Sequence, residues 1–298
     1  MAFAGLTLLA HLVVLASADE ASMIAVKVNG AAITAGDIEF AAMQQGISAD
    51  ERSLAEPKLI ERLIERQLIR AFLASRKIEP PADDFQFQVA RAEELIRKRG
   101  DDPKQLLAKL GYTPERMKAE LGLMLAWQTY ARQTVTPKQL KEYFEQHKQE
   151  LDGTQLRASQ IFLKLPKPAN EADMTAKKET LSELRRDIVA NKLSFADVAK
   201  RNSEAPTRDR GGDVGLFSWR GKLPATVSQA AFALKVGEVS EPVVSPFGVH
   251  LIQVTERHPG DFSLEDVRPV IMDRLTQQLW TETVERERAT AKIDRPQN

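Results

Sequence analysis

The stretch SPFGVHLIQV, Ser245 to Val254, decides the architecture of this chain. In an extended strand alternate side chains point to opposite faces, so Gly248, His250, Ile252 and Val254 share one face and Phe247, Val249 and Leu251 the other. Both faces are mostly apolar, which marks a strand covered on both sides in the middle of a sheet. One of only four histidines in the chain sits on it. A second segment, Arg157 to Leu163 (RASQIFL), has the same period and sets Ala158, Gln160 and Phe162 on one face. His250 therefore admits two readings, a reactive group or a core histidine bonded to Gln160 or Ser245.

Around these strands the segments SFADVAKRNSEAP, RGGDVGLFSWRGKLP and SQAAFALKVGEVSEPV alternate turns and glycines with short periodic runs. Helical spacing marks Asp173–Ala190 and Ser194–Arg201. Before Gly153 the pattern is mostly helical. Leu59, Ile60, Leu63, Ile64, Leu68, Ile69, Phe72 and Leu73 form one apolar face, opposite Glu61, Arg62, Glu65, Arg66 and Arg70, which read as a solvated surface. A further helix is expected from Asp83 to about Arg99. Thr113-Pro114 and Thr136-Pro137 each place a capping hydroxyl before a first-turn proline. Ile24, Val26 and Val28 alternate as a strand closed by Asn29-Gly30, and Thr34 stands three residues before Asp37 in a capping-box arrangement. After His258 helical spacing returns, and the closing AKIDRP is expected to form a short strand against Ile24–Val28.

The 298 residues suffice for about two domains. With 42 basic and 42 acidic side chains there is no global field to draw nucleic acid or an anionic membrane. The absence of cysteine excludes disulfides and thiolate nucleophiles. No histidine cluster suggests a metal, and GGDVG lacks the Gly-Lys-Ser/Thr ending of a phosphate-cradling loop, so no cofactor is expected. The apolar run from Ala2 to Ala16, followed by Ala16-Ser17-Ala18 and Asp19-Glu20, reads as an export signal over residues 1–18. An uncleaved membrane tether is the alternative, although the run is shorter than the ~20 residues a spanning helix needs.

The order of Phe195-Ala196, Val198-Ala199, Ser203, Gly211-Gly212-Asp213-Val214-Gly215, Ala230-Ala231-Phe232-Ala233-Leu234, Gly237-Glu238-Val239-Ser240, Pro242-Val243 and Phe247-Gly248-Val249-His250 resembles the parvulin family of peptidyl-prolyl isomerases. The flanking VNGAAIT start and helical region resemble SurA- or PrsA-type exported chaperones. The resemblance implies an α+β fold. A small antiparallel sheet surrounded by helices would occupy 155–257, inserted in or following a mostly helical chaperone domain at 19–154. Residues 258–298 would supply a C-terminal helix and short strand packing on the N-terminal domain.

It also implies an exported folding factor acting on Xaa-Pro bonds of unfolded polypeptides, in the periplasm or cell envelope. The alternative is a chaperone that binds such chains without catalysis. His250 falls on one of the family's two facing histidines, Ser245 on its hydroxyl and Gln160 on the other histidine. Ala205 falls on the reactive cysteine or aspartate position. Leu223 and Val227 fall on proline-pocket positions, Val227 in place of phenylalanine, and Phe247 is expected to touch the proline. Gln160, Ala205 and Val227 depart from the family pattern, which implies weakened or altered activity. A second candidate binding surface is the helical region, where Met117 and Met124 would make apolar area adaptable.

Overall fold

The computed structural model describes residues 18–98 and 100–295. In chain order the elements are α1 (Ala18–Ser22), β1 (Ile24–Val28), β2 (Ala31–Thr34), α2 (Ala35–Gln44), α3 (Ala49–Ser75), α4 (Ala82–Lys98), α5 (Pro103–Lys109) and α6 (Pro114–Thr134). Then come α7 (Pro137–Gln146), α8 (Lys148–Leu151), β3 (Gln155–Lys164), α9 (Glu171–Val189), α10 (Phe195–Asn202), β4 (Asp213–Ser218), α11 (Ala225–Ala233), β5 (Val243–Ser245) and β6 (Gly248–His258). The chain closes with α12 (Leu264–Thr290) and β7 (Ile293–Asp294). It divides into two compact units, Met1–Thr136 with Asp273–Asn298, and Pro137–Met272. The export signal expected at residues 1–18 lies outside the described residues but for Ala18, which opens α1. Among the described residues no helix is long and apolar enough to cross a membrane.

The discontinuous unit is built on a three-stranded sheet ordered β2-β1-β7. Asn29-Gly30 turns β1 back on β2, both residues taking the positive φ that such a tight turn requires. The expected terminal strand is present, with Lys27 opposite Asp294 and Val28 opposite Ile293. Val26 and Val28 enter the core, whereas an irregularity in the β1–β2 ladder between Ile24 and Val26 leaves Ile24 exposed. At Thr34 the hydroxyl accepts from the Asp37 amide while the Asp37 carboxylate accepts from the Thr34 amide, the reciprocal cap the sequence spells out. The apolar face of α3 packs with Leu123, Ala126 and Trp127 of α6 and Val284 of α12. Trp127 meets Trp280 edge to face at 5.2 Å, and its ring N–H donates to the Thr276 carbonyl at 3.3 Å.

Arg62 on the opposite face of α3 is exposed as expected, but part of that face departs from its reading as solvated surface. At the edge of the α3–α6 contact Glu120 of α6 is buried and pairs with Arg66 at 2.5 Å and Arg70 at 2.7 Å. Glu61 pairs with Arg288 and Arg295 at the chain's far end. Of the two methionines marked as adaptable surface, Met117 is buried in a small cluster with Phe40, Leu110 and Tyr112, and Met124 is exposed.

The contiguous unit holds an antiparallel sheet ordered β4-β3-β6-β5. β3 and β6 are its two inner strands, as their two-sided apolar pattern requires. On one face Ile161, Val249 and Leu251 pack with Leu181 and Ile188 of α9 and Phe195, Val198 and Ala199 of α10. On the other, Leu156, Ala158, Ile252 and Val254 pack with Val227, Ala231 and Phe232 of α11. Each of the larger side chains among these contributes roughly 1.5–3 kcal/mol on leaving water, and the two layers hold the central strands between them.

Candidate functional site

The pairing of β3 with β6 places Phe162 opposite His250 and Gln160 opposite Ile252, so Gln160 and His250 are diagonal neighbours on the face that α11 covers lower down. The ladder of β5 on β6 sets Ser245 opposite Gly248. Three of the expected residues thereby converge. His250 Nδ1 lies 3.1 Å from Gln160 Oε1, and His250 Nε2 lies 2.8 Å from Ser245 Oγ. With the amide so oriented, Nδ1–H donates to Gln160 and Ser245 donates to Nε2. Ser245 also accepts from the Phe247 amide at 3.2 Å and has the Gly248 carbonyl at 3.3 Å as a second acceptor. If the Gln160 amide is turned over, it donates to Nδ1, Nε2–H donates to Ser245, and the serine proton turns to Gly248. Both proton arrangements satisfy both ring nitrogens.

His250 is buried, and burial alone brings its pKa from 6.5 down to about 4. The ring is therefore neutral at physiological pH. It cannot act there as a cationic acid, but it fixes Ser245 and Gln160 in register. Truncating Ser245 to alanine leaves Nε2 buried without its partner and should cost about 2 kcal/mol in denaturant unfolding. A loss of only a few tenths would mean that this bond holds nothing in place.

The structure adds residues that periodicity did not single out for the site. The Phe162 ring lies against the His250 ring with centroids 4.6 Å apart. Ser203 follows α10 and is buried; its hydroxyl accepts from the Phe162 amide at 3.1 Å and the Ala205 amide at 3.2 Å. Glu204 closes the same junction, its amide donating to the Phe162 carbonyl at 2.7 Å. Ala205 is thus tied to the edge of the His250 network, as a buried methyl group. A serine hydroxyl between a helix end and a strand was the available signal, and Ser203 was already part of the motif order.

The remaining expected contacts are placed differently from one another. Phe247 is exposed and Leu223 is half-buried. Val227 is wholly buried on the inner side of α11, in the core with Phe232 and Ile252, so it shapes the site from below and presents no surface of its own. Trp219 packs edge to face on Phe232 at 5.0 Å and serves the turn. Asp213 holds the glycine turn by accepting from the Gly215 amide at 2.8 Å, and Arg157 beside it keeps its carboxyl below the usual range.

Gly212 is what lets this turn approach β3. Its φ is +85°, its carbonyl accepts from the Gln160 amide at 2.9 Å, and a Cβ there would stand 2.4 Å from the Gln160 carbonyl oxygen. Gly248 has a similar role on the other side, where a Cβ would lie 2.2 Å from the Leu163 carbonyl and 2.5 Å from the Phe162 ring.

A two-faced antiparallel sheet with a buried histidine linked to a hydroxyl on the next strand defines a class of domain. Residues 161–256 match the family model described as the PPIC-type PPIASE domain, or rotamase. The chain carries a parvulin-type domain. It is similar to the foldase protein PrsA of Bacillus subtilis, 31% identical over 182 residues, covering 61% of this chain and 54% of that protein. It is also similar to the chaperone SurA of Nitrosospira multiformis, 38% identical over 144 residues, covering 47% of this chain and 32% of that one. The chain spans about half the length of the PrsA relatives it matches. A crystal structure of peptidylprolyl isomerase (PrsA) from Bacillus cereus shares the fold, with a TM-score of 0.50 and 24% identity over 80% of this chain and 85% of that one.

Proposed function

We propose that this chain is an exported folding factor whose parvulin-type unit isomerises Xaa-Pro bonds of unfolded polypeptides. The observation that carries the reading is the bonded set Gln160–His250–Ser245 on adjacent strands, with Phe162 stacked on the histidine. Rotation about an Xaa-Pro bond breaks no covalent bond, yet amide conjugation sets a barrier of ~18–20 kcal/mol. A site lowers it by binding the twisted amide better than the planar one. The apolar surface of Phe162, Leu223 and Phe247 suits a proline ring. The His250 network beneath it holds the neighbouring backbone for hydrogen bonds fitted to the twisted geometry. Gln160, Ser245 and His250 are positioning residues in this scheme.

A segment over residues 1–18 with the features of an export signal supports action outside the cytoplasm, on polypeptides that arrive unfolded. A second reading is favoured by Ala205, where a buried methyl group stands in place of a reactive or acidic side chain. There the unit only clamps the peptide.

Exchange spectroscopy on a short Xaa-Pro peptide separates the two. The isomerase reading expects the mature protein to speed exchange about tenfold or more over the free peptide, and His250→Ala to remove most of that gain. Exchange at the uncatalysed rate, with aggregation of an unfolded client still suppressed, would leave the clamp.

A further inference from the structure

In the discontinuous unit a cavity of about 280 Å³ opens between β2, α3 and α6, with Ile33, Leu63 and Ala119 forming apolar wall. Its charged lining is Arg66, Arg70, Arg116, Asp37 and Glu120, three cations against two anions. The two carboxylates are already engaged. Asp37 accepts from the Thr34 amide and hydroxyl, from Tyr112 at 2.9 Å and from Arg116. Glu120 is buried and takes one oxygen to Arg66 and the other to Arg70.

The donors are not exhausted. Both bonds found for Arg66, to the Glu120 carboxylate and backbone carbonyl, run from Nη2. The Nε of Arg66 and of Arg70 is buried without a partner among the described residues. The three arginine side chains nevertheless remain 26%, 30% and 33% exposed, within reach of a visitor. A pocket with its carboxylates already engaged, donors left over and one net positive charge selects an acceptor that carries negative charge.

We infer that this cavity binds a carboxylate, presented on a short apolar stem by a polypeptide. Its volume accommodates a terminal residue or one side chain. The preference for an anion rests on the cavity alone. That the anion belongs to a polypeptide rests on the folding-factor reading, since every unfolded chain offers a terminal carboxylate and many offer aspartates.

The test titrates the isotope-labelled full chain with three proline-free peptides: acetyl-trialanine as the free acid, its C-terminal amide, and acetyl-Ala-Asp-Ala amide. Shifts at the amides of Ile33, Leu63 and Ala119 are expected with a carboxylate and absent with the trialanine amide. Response to the free acid alone assigns a chain terminus, response to the aspartyl peptide alone a side chain, and response to both any carboxylate. Arg66→Gln should weaken the complex about tenfold. Silence from both acids, or equal shifts with the uncharged amide, overturns the inference. Should the variant fail to fold, the three peptides on the unaltered protein still decide. Because none contains proline, their failure leaves the isomerase reading untouched.

Discussion

Gly212→Ala should lower the free energy of unfolding by roughly 4 kcal/mol, the sum of backbone strain and overpacking against a neighbouring strand. Gly212 holds φ +85°, and an added Cβ would meet the Gln160 carbonyl oxygen at 2.4 Å and the Gln160 amide nitrogen at 3.1 Å. Neither is a flexible side-chain end, so β3 must give way at the residue that bonds His250. Gly237 supplies the control, with φ +91° and nothing within 4 Å of its added Cβ. Gly237→Ala should show the dihedral cost alone, about 1–2 kcal/mol. Paired denaturant melts give the difference, and the amide resonance of Gln160 should move in the Gly212 variant only. Equal losses from the two glycines would mean that the close approach to Gln160 is not a tight one.

Acidification should cost the parvulin-type unit about 3 kcal/mol of stability through His250 alone, between its ordinary pKa and its buried one. Burial depresses the folded value from 6.5 to about 4. In that window the unfolded chain takes up a proton that the folded chain refuses, so stability is complete above about pH 6.5 and falls as the pH drops toward 4. The groups bonded to or stacked on the ring are Gln160, Ser245 and Phe162, none of which carries charge to compensate. Carboxylates held below their usual range, such as Asp213 and Glu256, add an acid loss of their own at lower pH. The comparison must therefore be with His250→Asn, which starts less stable but lacks the histidine's share of the slope. Parallel slopes in the two proteins across the window would show that His250 titrates normally in the fold.

The strands that hold the site were legible because period two is a local property. Alternation placed Gln160, Phe162 and His250 on definite faces, and the two-sided apolar pattern of β6 put it inside the sheet. Motif order then joined Ser245 to the set, and the coordinates place its hydroxyl 2.8 Å from the ring. What periodicity could not supply was depth. Val227 looks from the sequence like any apolar residue near a turn, and only the packing of α11 over Ile252 makes it unreachable. Arg66 and Arg70 failed for the same reason in reverse. A charged helix face reads as solvated until another helix brings a carboxylate, and Glu120 lies on a helix whose contact with α3 no local pattern announces.

The seam between Lys27 and Asp294 has a consequence for the order in which the molecule is made. A chain leaving the ribosome or a translocation pore delivers β1 before the contiguous unit, but the partner on its β7 side only after it. The unit from Pro137 to Met272 is contiguous and carries its own four strands, so every strand of its sheet is present while the flanking unit still lacks a strand and most of a helix. The intervening unit can therefore be complete before the flanking sheet is, and pairing of β7 with β1 is the step that finishes that sheet.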